Sequence, residues 1–266
     1  MDLELRNKRA IVTGGSRGIG FAIASKLVKE GVSVVIAARN SKELEKAADQ
    51  LTKETRQVVI PVSVDTTNDE SVNDLVKTSV DQLGGIDILV NCAAPVAWKT
   101  KNPKIANLTG DLLAEAIDVK VMGYLRCARE VTPFMINCGW GRIINIAGMA
   151  ARNAHSIIGS IRNVSVAALT KNLANELGCK GINVTCVHPG LTKTELTKEL
   201  ISIRAAKNNT TETQIEEAME SETAIGRMVE ASDIASVVCF LASPKSVAIQ
   251  GDVIPAAGGA GQDIRY

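Results

Sequence analysis

The sequence predicts an α/β fold, a doubly wound and mostly parallel sheet of seven strands with helices on both faces. Three observations predict it. Short β-branched runs alternate with longer amphipathic segments along almost all 266 residues. The runs are apolar at nearly every position, as strands covered on both faces should be. The chain holds only two tryptophans, two tyrosines and three phenylalanines, with 45% hydrophobic residues overall. A core of Ala, Val, Ile, Leu and Gly suits helices packed closely on a sheet, and regular strand–helix alternation makes that sheet parallel.

The first run, Ala10–Thr13, leads into a helical pattern carrying Ile23, Leu27 and Val28. Val32–Ala37 is the second strand, and Ser41 is placed to cap the helix after it. Val58–Val62, Ile86–Val90, Arg142–Ile146 and Asn183–Val187 are the third to sixth. Ser232 with Asp233 opens the last helix, and Asp252–Pro255 completes the sheet. The polar, weakly patterned stretch near 192–223 reads as an insertion over a ligand cleft. No repeat, linker or low-complexity tract is visible, so residues 1–266 are expected to form one domain.

Composition excludes several function classes. Thirty basic against twenty-nine acidic residues leave a net charge of +1, which implies neither a nucleic-acid nor an anionic-membrane partner. The scarcity of aromatics argues against a base-stacking platform. Cys92, Cys127, Cys138, Cys179, Cys186 and Cys239 are scattered, with no CxxC. Neither a disulfide framework nor a metal site is expected, and a reducing compartment follows. The opening MDLELRNKRA carries charges where a signal peptide needs an apolar run, and no segment reaches the roughly 18 apolar residues of a membrane span. The expectation is a cytoplasmic protein acting on a small molecule.

The segment TGGSRGIG at 13–20 follows the first strand and opens a helix. Gly14, Gly18 and Gly20 allow a tight turn, close approach to a pyrophosphate and close helix–strand packing, with Ser16, Arg17 and Ile19 between them. The helix start supplies free N–H groups and partial positive charge. In this context the pattern predicts dinucleotide binding by a Rossmann-type fold. At the end of the second strand, where a carboxylate would bind ribose hydroxyls, stands Arg39, with Arg17 nearby. Two guanidiniums favour a 2′-phosphate, hence NADP(H) over NAD(H). Arg39 as a solvated strand-end charge is the alternative.

Over essentially its whole length the chain resembles the short-chain dehydrogenase/reductase family. The matching segments are TGGSRGIG (13–20), VDTTNDESV (64–72), NCAA (91–94), GRIINI (141–146), ALTKNLANEL (168–177), HPGLTKT (188–194), SDIASVVCFLAS (232–243) and GDVIPAAGG (251–259). The resemblance implies that Asp65 meets the adenine amino group and that Asn91 lines the adenosine side. It also implies that Pro189, Gly190, Thr192 and Thr194 hold the nicotinamide and diphosphate. The family further implies a homotetramer, or less often a dimer.

The family's reaction rests on an Asn, a Ser and a Tyr-x-x-x-Lys pair. Counting from ungapped flanks puts the Tyr position at Gly159, the Lys position at Asn163, the Ser position at Gly148 and the Asn position at Lys120. None of the four residues is present, and the only tyrosines are Tyr124 and Tyr266. Tyr124 reads as core. Asn and Lys have in effect exchanged places. By the family's fold the two sites are close, so Asn163 can bind ribose hydroxyls and a desolvated Lys120 can act as acid or base. Pairing of Lys120 with Asp118 or a helix end is an equal alternative. His155 and Ser160 are further catalytic candidates near the vacated positions, although a lone histidine is more often a satisfied loop residue. Arg162 reads as an anion ligand or as a contact to a neighbouring subunit; His188 has only its position to recommend it. The two glycines are expected to enlarge the pocket.

Three functions stay open at this point. One is an NADP(H)-dependent reductase with non-standard proton delivery, acting on C=C or C=O bonds. Some dienoyl reductases of the family resemble it in holding a Gly-Ser pair like Gly159-Ser160, although they keep the lysine. The second is a catalytically silent NADP(H)-binding sensor or scaffold, and the third a non-redox lyase or isomerase.

Overall fold

The computed structural model describes residues 1–95 and 103–261. Its strands are β1 (Arg9–Thr13), β2 (Ser33–Ala38), β3 (Val59–Ser63), β4 (Ile88–Asn91), β5 (Gly141–Ile146), β6 (Ile182–Pro189), the two-residue β7 (Thr192–Lys193) and β8 (Val229–Glu230), and β9 (Val253–Ala256). The helices are α1 (Gly18–Lys29), α2 (Ser41–Thr55), α3 (Asp69–Leu83), α4 (Gly110–Ile117), α5 (Gly123–Cys138), α6 (Ile157–Leu177), α7 (Thr197–Asn208), α8 (Glu212–Ser221) and α9 (Ala231–Ala242). Seven strands form one sheet in the order β3-β2-β1-β4-β5-β6-β9. Each neighbouring pair is parallel. The seven apolar runs of the sequence each fall on one of these strands.

Double coverage explains why those runs lack polar alternation. In β1, Ala10 and Val12 join one apolar cluster with residues of α1, α2 and α9, whereas Ile11 joins the other with α3, α5 and α6. Both parities of each strand are therefore buried, each large aliphatic side chain contributing about 1.5–3 kcal/mol. The chain winds outward through β2 and β3, then returns to β4 on the other side of β1. At that reversal the carboxyl ends of β1 and β4 splay apart, which is where open α/β sheets bind ligands.

Two local expectations need correction. Asn40, not Ser41, caps α2, its side chain accepting from the Glu43 amide at 3.3 Å. Helix α9 begins at Ala231 with Glu230 as its cap, and Asp233 accepts from the Glu230 amide at 3.0 Å. Residues 192–223 are mostly helical. They contain β7, α7 and α8, whose Leu200, Ile201, Ala205, Ile215 and Met219 pack with Met228 into a separate apolar cluster. Thr211 and Gln214 form a reciprocal cap at the start of α8. The short β7 pairs in parallel with β8 and anchors this helical pair beside β6. Among the described residues no helix is long and apolar enough to cross a membrane.

Candidate functional site

A cleft of about 940 Å³ lies along the carboxyl ends of β1, β2, β4, β5 and β6. Its nucleotide-sized outer half is built from the loop after β1. Gly14 has φ of 69°, and a Cβ there would stand 2.9 Å from the Cys92 carbonyl oxygen. Gly20 is closer still, since a Cβ would come within 2.2 Å of the Gly14 carbonyl. Any larger residue at either position would push the loop out of its turn. Thr13 ties this loop to the next strand, its hydroxyl accepting from the Cys92 and Ala93 amides at 3.1 and 3.2 Å.

The start of α1 faces the cleft. Its N-cap Arg17 is extended, makes no side-chain cap, and no acidic residue occupies the first turn. The first amides of the helix thus retain donors and partial positive charge. A Cβ on Gly18 would meet nothing nearer than Thr194 Cγ2 at 3.7 Å, so backbone there stands open to a ligand. Ser16, Ile19, Pro189, Gly190 and Thr194 also line the cleft. The chemistry of this end fits a pyrophosphate. At the mouth stand Arg39, Glu43 and Asp65. Thr67 donates through its amide and hydroxyl to Asp65 Oδ1 at 3.0 and 2.8 Å, and these bonds hold the carboxyl below its ordinary pKa.

The inner half centres on Lys120. The helix that contains it runs from α4 into α5 through a widened turn at Asp118–Met122, where the Gly123 amide reaches back to the Asp118 carbonyl. Such an inserted residue re-aims the side chains around it. Lys120 points inward, 4% exposed, and its Nζ donates to the Ala147 carbonyl at 2.9 Å and to Asn163 Oδ1 at 3.0 Å. Asn163 Nδ2 in turn donates to the Gly159 carbonyl at 2.8 Å. Lys120 does not pair with Asp118, which binds Arg126 at 2.8 Å. Burial, and then the like charge of Arg162, bring the Lys120 ammonium down to about 7.

A buried polar ladder fixes this arrangement from beneath. Asn91 Nδ2 donates to Asn145 Oδ1 at 2.9 Å, Asn145 Nδ2 to the Thr170 hydroxyl at 3.0 Å, and that hydroxyl to the Val166 carbonyl at 2.8 Å. The ladder locks α6 to β4 and β5. It also places Asn91 below the cleft rather than on its wall, a correction to the expected adenosine contact: Asn91 is fully buried, and Cys92 and Ala93 line the wall instead.

Other predicted residues are not brought together. Gly148 lines the cleft, and a Cβ there would lie 3.6 Å from Asn163 Oδ1, an ordinary contact. Gly159 does not line it, because Ser156 and Ala150 cover it at 3.1–3.4 Å from a would-be Cβ. The expected enlargement of the pocket therefore comes from Gly148 alone. Ser160 turns away to donate to the Asn153 carbonyl at 3.0 Å, and His155 is exposed in the loop before α6. Neither lines the cleft. Thr192 also stands behind it, bonded to the Gly190 carbonyl at 3.0 Å. The Tyr124 hydroxyl is spent on the Ile146 carbonyl at 2.9 Å in full burial, and Tyr266 lies outside the described residues. Cys92 and Glu43 line the cleft without having been anticipated. Burial raises the Cys92 thiol to about 12, which keeps it neutral and inert. Among the described residues no three His, Cys, Asp or Glu side chains gather as a metal site.

A family profile described as "Enoyl-(Acyl carrier protein) reductase" matches residues 14–261. "Dehydrogenase/reductase SDR family member 4" of Oryctolagus cuniculus is 33% identical over 261 residues, covering 96% of this chain and 94% of its own. The chain belongs to the short-chain dehydrogenase/reductase family. L-sorbose reductase of Gluconobacter frateurii, solved with NADPH and L-sorbose, superposes with a TM-score of 0.92 at 28% identity, covering 99% of this chain and 100% of its own. An NAD+-bound xylitol dehydrogenase superposes at 0.87 with 25% identity, covering 96% and 100%. The neighbours thus include reductases carrying NADPH and one dehydrogenase carrying NAD+, so family membership supports a nicotinamide cofactor and leaves its phosphorylation to the residues at the mouth.

Proposed function

We propose that this protein is an NADP(H)-dependent oxidoreductase in which Lys120 replaces the family's tyrosine as the proton-transferring group. The observation that carries the proposal is a buried ammonium on the cleft floor, held by Ala147 and Asn163, whose pKa lies near neutrality. Gly14, Ser16, Arg17, Gly18, Ile19 and Gly20 would hold the pyrophosphate, and Asp65 the adenine edge. Pro189, Gly190 and Thr194 would flank the nicotinamide half. A bound NADPH supplies the hydride to the substrate carbon. Lys120 gives a proton to the atom that gains negative charge, so one hydride and one proton add across a polarised C=O or C=C bond. Asn163 keeps Lys120 in place through its carbonyl oxygen. A scan of NADPH oxidation over ketones, enones and enoyl thioesters tests the proposal. Tight NADPH binding with no turnover on any class would instead favour the silent sensor, and product formed without a change in cofactor absorbance a non-redox enzyme.

The preference for NADP(H) rests on Arg39 and Arg17, both exposed at the mouth, and is opposed by the carboxylates of Glu43 and Asp65 beside them. A charge-assisted hydrogen bond is worth about 1.5–3 kcal/mol, so Arg39→Asp is expected to shift the ratio of NADPH to NADH dissociation constants by at least about tenfold toward NADH. An unchanged ratio in a calorimetric titration would refute the assignment.

We read residues 1–266 as one domain that self-associates. Ile157, Ile161 and Val164 form an exposed apolar row along α6, with Met122 exposed on the widened turn before α5. Ile161→Glu is expected to lower the mass measured by light scattering from that of a dimer or tetramer. A multimer of unaltered mass would remove this face from the interface.

A further inference from the structure

We propose that the cleft floor binds a carboxylate of the substrate, with Arg162 as its principal ligand and Lys120 beside it. As a statement about substrate, it rests on the oxidoreductase reading above. Arg162 is 6% exposed and lines the cleft, yet its Nε and Nη1 have no hydrogen-bond partner. Buried guanidiniums are ordinarily satisfied, since an unpaired charge out of water is expensive. The other buried arginine among the described residues follows that rule. Arg142 donates to the Ser243 and Gly141 carbonyls at 3.2 and 2.8 Å and stacks on Trp140 at 4.5 Å.

The charge imbalance is local as well. Lys120 spends two of its three donors on Ala147 and Asn163, and its charge and that of Arg162 repel each other. Among the described residues no carboxylate forms an ion pair with either. The carboxylates that do line the cleft belong to its outer half. Glu43 and Asp65 stand at the mouth, and Glu195 Oε1 is 3.9 Å from a would-be Cβ of Gly18. Two cations without an anion on a floor kept open by Gly148 describe a receptor for one. Forked guanidinium donors match a planar carboxylate, and the pyrophosphate already has its own cradle at the start of α1. Because Arg162 and Lys120 line the same cleft and each lies within the other's field, the carboxylate lies close to the reducible bond. The substrate class is therefore a small acid with a neighbouring C=O or C=C, rather than a neutral sugar or ketone.

The test uses oxalate as the probe and its neutral analogue oxamide as the control, titrated into the full chain with and without NADP+, read by calorimetry and melting temperature. Oxalate is expected to bind and to raise the melting temperature; oxamide is not. Arg162→Met weakens oxalate at least tenfold, and Arg162→Lys restores part of the loss. Without ligand, Arg162→Met melts no lower than the parent, because an unpartnered buried charge has been removed. Equal behaviour of oxalate and oxamide, or undiminished oxalate affinity in Arg162→Met, overturns the proposal. So does a fall in the melting temperature of Arg162→Met, which would reveal an arginine satisfied by the protein itself. NADP+ binding without oxalate binding removes this inference and leaves the oxidoreductase reading intact. Oxalate binding that needs Arg162 in a chain that holds no pyridine nucleotide does the reverse.

Discussion

Lys120→Met is expected to cut NADPH-dependent reduction by about 10²–10⁴-fold, the range general acid catalysis supplies, while the nucleotide still binds. The pyrophosphate cradle lies on the loop after β1, whereas the Lys120 ammonium bonds Ala147 and Asn163 on the inner floor with one donor unspent. The groups facing it are Arg162 on α6, Cys92 after β4, Cys186 on β6 and Tyr124 on α5. Burial and the Arg162 charge lower its pKa, and neither thiol is ionised near neutrality to oppose them. Reduction needs the protonated form, so the rate falls as pH rises through about 7, and the oxidative direction gains over the same range. Lys120→Arg keeps a positive charge but cannot release a proton there, so it loses activity with the methionine variant. A Lys120→Met enzyme with an undiminished rate, or with the same pH limb, would sink the assignment.

The same shift carries a stability signature. The unfolded chain protonates this lysine at its ordinary value of 10.5, the folded chain only near 7. Between those values the unfolded state binds more protons, so the contribution is full above the ordinary lysine range and is lost as pH falls to about 7. The slope approaches about 1.4 kcal/mol per pH unit inside the window and vanishes below it. Lys120→Met lacks this component, so its stability relative to the parent improves as pH is lowered through that window.

Much of this was legible in the sequence, for identifiable reasons. A doubly covered sheet writes itself as continuous apolar runs, and TGGSRGIG between a strand and a helix admits few other readings. The cap of α2 was missed by one residue because Asn40 and Ser41 are both capping types. Strand parity could have placed Asn91, which shares a face of β4 with Leu89 and so turns toward α5 and α6. The Lys120–Asn163 bond joins residues 43 apart and was anticipated only through family resemblance. The widened turn that aims Lys120 has no sequence signature, since it adds one residue to an unbroken helix. Nor could composition tell that the segment before α6 folds over Gly159 and turns Ser160 away from the cleft.

That cover decides the second large effect. Installing the family's side chains as Lys120→Asn, Gly148→Ser, Gly159→Tyr and Asn163→Lys is expected to confer turnover of neutral ketones only when Ser156→Gly is added. Gly148 accepts a Cβ at ordinary contact distance, but a Cβ at Gly159 meets Ser156 Cβ and Oγ at 3.1 Å and Ala150 Cβ at 3.4 Å. A tyrosine there overpacks the start of α6, at a cost of about 1–3 kcal/mol, and its phenol is driven off the cleft. Ser156 caps α6 by accepting from the Gly159 amide at 3.0 Å, and replacing a serine cap with glycine costs only a few tenths of a kcal/mol. The fivefold variant should therefore stay folded, hold NADPH and exceed the parent on neutral ketones by about 10²-fold, the lower end of what a positioned acid provides. The fourfold variant should show little of that gain. Equal rates in the two would mean that Ser156 is not the obstacle. A folded, NADPH-binding fivefold variant that reduces no ketone would mean that the four positions do not correspond to those of the family's proton-transfer device.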